Sequence, residues 1–374
     1  MRVLFSSTPQ HGHLLPEFPL ARAFRDRGDE VAFLTSAGFA SLFADEGFTH
    51  LPVGPEIDVL LAEAARLAGV SDPTQPSPAA AAELFASARI NLTGDEAVAA
   101  ARAFGPDLVV VEGTDYVGPL VAAVLDVPYA KLALGPAIPA EFTGVFDAVA
   151  ELRYKERGLT VPAPTWNLDP CPALLQAPGW EPPRGHLPIR AEAHRGAGAP
   201  KTAAFVPTSD RPKVLVSFGT HFTEPAVLRP LVGALSAHAD LVVAVGLTAT
   251  AADYEEVSGG VEIVGFTPLA DLLGGVDLVV THGGAGTTMG ALSRGVPLVV
   301  VPQGADQFVQ AGAVAASRTG VAVMPPAGPE AVAEAVREAL GNAEYRDNAR
   351  RAAEQIAAAP SPGEIAERLA AAIG

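Results

Sequence analysis

The stretch from Thr281 to Thr288, THGGAGTT, gathers an imidazole, three glycines and three hydroxyls between an apolar run, residues 278–280, and a segment of helical pattern. Gly283, Gly284 and Gly286 let backbone N–H groups come close to a ligand, because no side chain stands in the way. Thr287 and Thr288 add hydroxyl donors where the helix opens, and the positive end of the helix dipole faces the same point. This chemistry suits a phosphate group. A P-loop does not fit, since no Lys precedes the Ser or Thr. Nor does the dinucleotide fingerprint G-x-G-x-x-G: after Gly284 and Gly286 the position in register is Met289, and Gly290 comes one residue late. Asp306 lies about twenty residues on, but beyond Pro302 in a loop, not at a strand end.

The glycine turn needs a strand before it and a helix after it. The helical segment leads to a second apolar run, 298–301, which Pro302 ends, giving strand, turn, helix, strand. The same alternation runs through the second half as VLVSFGT from Lys213, then LVVAVG, VEIVGF, DLVVTH and LVVVP. In the first half, strands are expected over 3–6, 31–34, 107–111 and 127–134, with a helix over 16–27 that Gly28 ends. Residues 55–100 carry mixed helical pattern and Ala-rich, helix-forming runs. Such alternation predicts α/β architecture, with parallel sheets covered on both faces and ligands outside the carboxyl ends of the strands. His11, His13 and Glu112 fall at that edge. Residues 162–212, rich in Pro and Gly, read as long loops followed by a linker, and the interspersed Trp166, Leu168, Leu174, Leu175 and Trp180 argue against disorder. Helices are expected over 330–340 and 343–357. Ser361, Pro362 and Glu364 form a capping box for a last helix with Ile365, Leu369 and Ile373 on one stripe.

Taken together, THGGAGTT, GVPLVVVP and ADQ resemble the donor signature of family-one glycosyltransferases of the two-domain GT-B fold. The variant is similar to that of bacterial, actinobacterial-type enzymes that attach sugars to antibiotics and other natural products. The resemblance implies two Rossmann-like domains with parallel sheets facing a cleft. Residues 1–205 would bind the acceptor, 206–356 the nucleotide sugar, and 357–374 would form a helix crossing back to the first domain. It implies that His282, Gly283, Gly284, Gly286, Thr287 and Thr288 hold the donor diphosphate, with Ser217, Gly219 and Thr220 as a second contact. Phe266 would stack on the base and Thr267 read it, while Asp306 and Gln307 would contact the sugar hydroxyls. HGHLLP resembles the family's Gly-His-x-x-Pro turn, which makes His13 the base, with His11 as the alternative. DLVVVEGTDY, counted against the family pattern, puts Glu112 in the place of the acid that assists the base, with Asp115 as a possible substitute and Tyr116 at the aromatic position on the acceptor side. Four residues depart from the pattern, and one is Glu112, which stands where the family residue is usually Asp. Phe266 stands where Trp is usual, Leu269 where Gln is often found, and Gly290 where enzymes using uridine diphosphate sugars often carry a Glu that grips the ribose hydroxyls. Gly290 cannot do so. A thymidine diphosphate donor has no 2′-hydroxyl to grip, so a deoxythymidine diphosphate sugar is the expected donor.

Composition sets outer limits. At 374 residues the chain has room for two domains, and 49% hydrophobic residues with a mean hydropathy of +0.27 can fill large cores. No apolar run approaches the ~20 residues of a membrane span. MRVLFSSTP enters a strand at once without a signal peptide, and the single Cys171 rules out an internal disulfide framework, so a cytoplasmic protein is expected. A net charge of −17 and a pI near 4.8 argue against nucleic acid and anionic membranes as partners. The eight His are scattered, with no His-x-x-x-His and no Asp-x-Asp, so no metal and no cofactor beyond the nucleotide sugar co-substrate is expected.

The expected activity is therefore inverting, metal-independent transfer of a sugar to a small apolar natural product such as a polyketide. Two alternatives stay open. A nucleotide-sugar 2-epimerase of the same fold needs extra acids and bases around the sugar and no apolar acceptor pocket. A non-catalytic donor-binding auxiliary protein has no use for a base. The sugar, the acceptor, the bond type (to oxygen, nitrogen or carbon) and the choice between monomer and homodimer are not set by the sequence.

Overall fold

The computed structural model describes residues 1–70, 77–198, 210–220, 224–247, 249–254 and 260–374. They divide into two compact units, one of Met1–Pro170, Gly179–Arg190 and Pro360–Gly374, the other of Cys171–Pro178 and Ala191–Ala359. The boundary expected at 205/206 lies outside the described residues.

In the first unit, β1 (Arg2–Ser6), β2 (Glu30–Thr35), β3 (Thr49–Pro52), β4 (Leu108–Glu112), β5 (Tyr129–Leu132), β6 (Trp166–Asp169) and β7 (His186–Pro188) form a wholly parallel sheet in the order 3-2-1-4-5-6-7. Both faces are covered, which is why β1 and β4 read as unbroken apolar runs and not as alternating ones. Val3 and Phe5 face a core with Phe18, Phe24, Phe33 and Phe43, and Phe5 stacks on Phe33 at 4.9 Å. Leu4, Val109 and Val111 face the other core, under helices Arg89–Phe104 and Val117–Leu125. Gly118 permits the close approach of that second helix: a Cβ there would stand 2.6 Å from Val111 and 2.9 Å from Ser6. The final helix, Pro362–Ile373, opens with the Ser361/Glu364 capping box and buries Ile365 and Leu369 in this unit's core.

The second unit repeats the arrangement with β8 (Lys213–Ser217), β9 (Asp240–Ala244), β10 (Val261–Val264), β11 (Leu278–Thr281), β12 (Leu298–Val300) and β13 (Gly320–Ala322), all parallel, in the order 10-9-8-11-12-13. In both sheets the strand order reverses at the first strand, which opens a crevice beyond β1 and β4, and beyond β8 and β11.

Part of the expected layout is corrected. Residues 162–212 are not only loops and linker, because β6 and β7 extend the first sheet at its edge. Pro at the end of β7 is tolerated there, since an edge strand needs no further ladder hydrogen bond. Segments 171–178 and 191–198 pack with the second unit. Residues 11–14, read as part of a turn, form a helical turn that continues through Leu15–Glu17 into the helix Phe18–Asp26. No described helix is long and apolar enough to cross a membrane.

Candidate active site

In the first unit the switch-point edge brings together side chains from three segments. β1 delivers the chain to Thr8, the helical turn His11–Leu14 presents His13, and β4 ends on Glu112. His13 Nδ1 lies 3.1 Å from Glu112 Oε1. Glu112 is completely buried, and its oxygens accept from Thr8 Oγ1 at 2.8 Å, from the Thr114 N–H at 2.9 Å and from Thr114 Oγ1 at 3.0 Å. Burial opposes the charge on Glu112. The neighbouring His13, with its hydrogen bond and those of Thr114 and Thr8, outweighs it and brings the carboxyl down to about 2. An ionised carboxylate accepts, so Nδ1 carries the proton and Nε2 is the basic nitrogen.

Asp115 is engaged elsewhere. It pairs with buried Arg89, whose Nε is 3.4 Å from Oδ1. It also accepts from Ser6 Oγ and from the N–H groups of Val117 and Gly118, which caps the helix behind it. His11 rests against Phe39, with ring centroids 5.0 Å apart. Tyr116 donates its hydroxyl to Asp147 at 2.9 Å. A π-helical turn, Glu83–Ala88, places the Phe85 ring 5.7 Å from that of His13 and 6.1 Å from Phe146, giving His13 an apolar flank.

In the second unit the turn after β11 is formed by Gly283, with φ +93°, and Gly284, which precedes the helix Ala285–Leu292. Its N-cap residue, Gly284, has no side chain to cap the first N–H groups, which suits an anionic ligand there. His282 is buried between two glycines: a Cβ on Gly219 or Gly284 would stand 2.9 Å or 2.7 Å from its ring. Burial pushes the imidazole down to about 4, against a hydrogen bond to the Ser217 carbonyl that favours the proton. His282 is thus neutral near neutrality and offers hydrogen bonding, not charge. Gly286 is exposed and Thr287 half-buried, at the mouth of the turn. Thr288 differs from the expectation. Its hydroxyl is fully buried and donates to the Gly284 carbonyl at 3.1 Å, as mid-helix threonines do.

Gly219 has φ +74° and leads into Thr220, whose backbone crowds Gly246. Phe266 is 40% exposed, so it is not a core aromatic, and Thr267 bonds back to the Gly265 carbonyl at 3.2 Å. Asp306 precedes the helix Gln307–Ala316. Gln307 is buried, its amide oxygen accepting from the N–H groups of Gln303 and Gly304 at 2.7 and 3.1 Å. Gly290 and Leu269, two of the departures from the family pattern, meet in space. A Cβ on Gly290 would lie 2.6 Å from Leu269 Cδ2 and 3.3 Å from Ala193 Cβ.

Sequence reasoning missed four residues here. Thr8 and Thr114 hold Glu112, and their hydroxyls in short turns at strand ends were the available signal. Arg89 sits in an Ala-rich helix that reads as unremarkable. Glu17 is wholly buried, and among the described residues the only polar side chain that favours its charge is the neighbouring Ser7 hydroxyl. Burial, and then the charge of Glu112, holds its carboxyl well above the usual range.

The erythromycin biosynthesis protein CIII-like N-terminal domain matches residues 22–179, and the corresponding C-terminal domain matches residues 231–372. The chain is 32% identical to the L-demethylnoviosyl transferase of Streptomyces niveus, over 99% of this chain and 98% of that one. It is 31% identical to the elloramycin glycosyltransferase ElmGT of Streptomyces olivaceus, over 100% and 98%. The crystal structure of the Streptomyces sp. SF2575 glycosyltransferase SsfS6 complexed with thymidine diphosphate superposes with a TM-score of 0.82 at 27% identity, covering 99% of both chains.

Proposed function

The chain belongs to the erythromycin biosynthesis protein CIII-like family and is a GT-B glycosyltransferase, and from that premise we propose that it moves a sugar from a thymidine diphosphate sugar to a small apolar natural product of the antibiotic type, with inversion and without a metal ion. The observation that carries the mechanism is the His13–Glu112 contact. His13 Nε2 takes the proton of an acceptor hydroxyl, and Glu112 steadies the imidazolium that results. The acceptor oxygen attacks the anomeric carbon from the face opposite the diphosphate, and the bond from that carbon to the diphosphate oxygen breaks. The leaving group carries off the electron pair. Gly283, Gly284, Gly286 and Thr287, with neutral His282, meet its charge through N–H and O–H dipoles. Thr288 serves by closing the helix turn behind them. Ser217 holds His282 in place through its carbonyl, while Gly219 and Thr220 line the neighbouring turn. Asp306 and Gln307 orient the sugar, and Phe266 and Thr267 face the base. Glu112, not Asp115, assists the base.

Thymidine specificity is supported by the contact between Gly290 and Leu269, an apolar pair where a ribose 2′-hydroxyl would need a polar partner. SsfS6 is described in complex with thymidine diphosphate, in line with this choice. The test is isothermal titration calorimetry with thymidine and uridine diphosphates in excess chelator. Tighter binding of the thymidine form is expected. A preference for the uridine form would overturn the donor assignment, and loss of binding in chelator would overturn metal independence.

A further inference from the structure

Lys131 is a charge the mechanism leaves unused. On β5 it pairs in register with Val111, the residue before Glu112 at the end of β4, and the charge of Glu112 reaches it. Its side chain is on the sheet face shared by Val111, Tyr116 and Phe146, with Nζ 5.8 Å from the Tyr116 ring centroid. Among the described residues Nζ has no hydrogen bond and no ion pair. The two carboxylates whose fields reach it are committed: Asp147 accepts the Tyr116 hydroxyl, and Glu112 serves His13, Thr8 and Thr114. Burial pushes the ammonium below its usual range, against the pull of Asp147 and Glu112. A half-buried ammonium over an aromatic face is attracted only weakly by the ring and gains more from an anionic oxygen.

We propose that Lys131 determines acceptor specificity by binding an ionisable oxygen, phenolic or enolic, carried by the acceptor next to the hydroxyl that His13 deprotonates. This rests on the transfer reading above and narrows its acceptor class. The preferred acceptor is then not merely apolar: its apolar body lies along Phe85 and Phe146, and one acidic oxygen meets Lys131. A neutral analogue leaves the ammonium without a partner and binds less well.

The test compares alizarin, a dihydroxyanthraquinone, with its dimethyl ether, binding each to the wild-type protein, Lys131→Met and Lys131→Arg. Wild type should bind the free phenol about tenfold tighter than the ether. The phenolate absorbance band of the bound dye should appear at lower pH than in free solution. Lys131→Met should lose both effects, and Lys131→Arg should restore the band shift. Equal affinity of wild type for the two probes, failure to bind either, or an unchanged preference in Lys131→Met would overturn the proposal. Thymidine diphosphate binding by wild type is read in the same samples. Its loss would count against the transfer reading, whereas donor binding without the phenol preference would count against Lys131 alone.

Discussion

His13 Nδ1 lies 3.1 Å from Oε1 of Glu112, and that carboxylate has no exposure to solvent while the imidazole keeps 15%. The pair is therefore anchored in the core at Glu112 and reaches solvent at His13. Three further donors, from Thr8 and Thr114, fix the carboxylate and leave it no other orientation. His13→Ala should lower kcat by about 10²- to 10⁴-fold, with Kd for thymidine diphosphate unchanged. Glu112→Gln should give a loss in the same range, because the amide no longer fixes the tautomer by charge. Steady-state kinetics with calorimetry checks both. Full turnover in His13→Ala would remove His13 from the base role, and full turnover in Glu112→Gln would remove Glu112 as its support.

Asp115 should behave in the opposite way. Its partner Arg89 is buried, so Asp115→Asn leaves that guanidinium without its charge partner and should cost on the order of 3–5 kcal/mol in urea unfolding. The variant that remains folded should keep kcat near the wild-type value. A large loss of kcat at full stability would place Asp115, not Glu112, behind the base.

His282 makes stability depend on pH. Its imidazole titrates at about 4 in the folded protein against a usual 6.5, so the unfolded chain takes up the proton first as pH falls. Stability is fully present above pH 6.5 and is lost progressively down to about pH 4, by on the order of 3 kcal/mol from this group. Urea unfolding across that window should show a flatter pH dependence for His282→Asn than for wild type.

Glu17 acts in the opposite direction. Its carboxyl titrates well above the usual 4.5, chiefly through burial, so above pH 4.5 the unfolded chain releases a proton that the folded one retains. Stability from this group falls as pH rises from 4.5 toward the raised value. Glu17→Gln, which cannot ionise, should gain on wild type as pH rises above 4.5 in thermal melts. Parallel curves would show that Glu17 finds a partner for its charge.

Donor choice should respond to the pair behind it. Gly290→Glu alone forces Leu269 aside, whereas Gly290→Glu with Leu269→Gln gives the new side chain room and a polar neighbour. The double variant should narrow the preference for thymidine over uridine diphosphate by about tenfold in calorimetric titration. An unchanged ratio would separate Gly290 from ribose recognition.

Much of the fold was legible because its signals are local. A doubly covered parallel strand is an apolar run, and a phosphate-type turn is a cluster of glycines with hydroxyls, so β1, β4, β8 and β11 and the turns after them stand out in the chain. Short strands without an apolar run of their own were not. β3, β6, β7 and β13 have three or four residues each, and β6 and β7 lie among prolines; only hydrogen bonding to neighbours distant in sequence makes them strands. The candidate site divides in the same way. His13, Glu112 and His282 follow from motifs, but Arg89 reads as one more residue of an Ala-rich helix until packing turns it toward Ser7 and Asp115.

The sequence by itself determined the two α/β units, the glycine turn and the set of side chains delivered to the strand ends, because periodicity and turn chemistry act over a few residues. Only the tertiary structure decided that Glu112 and not Asp115 meets His13, that Thr288 turns inward, that Leu269 fills the space over Gly290, and that Glu17 and Lys131 sit where their charges are hard to satisfy. Those outcomes depend on which groups burial forces together across the fold, and desolvation is a property of the folded surroundings that no local pattern carries.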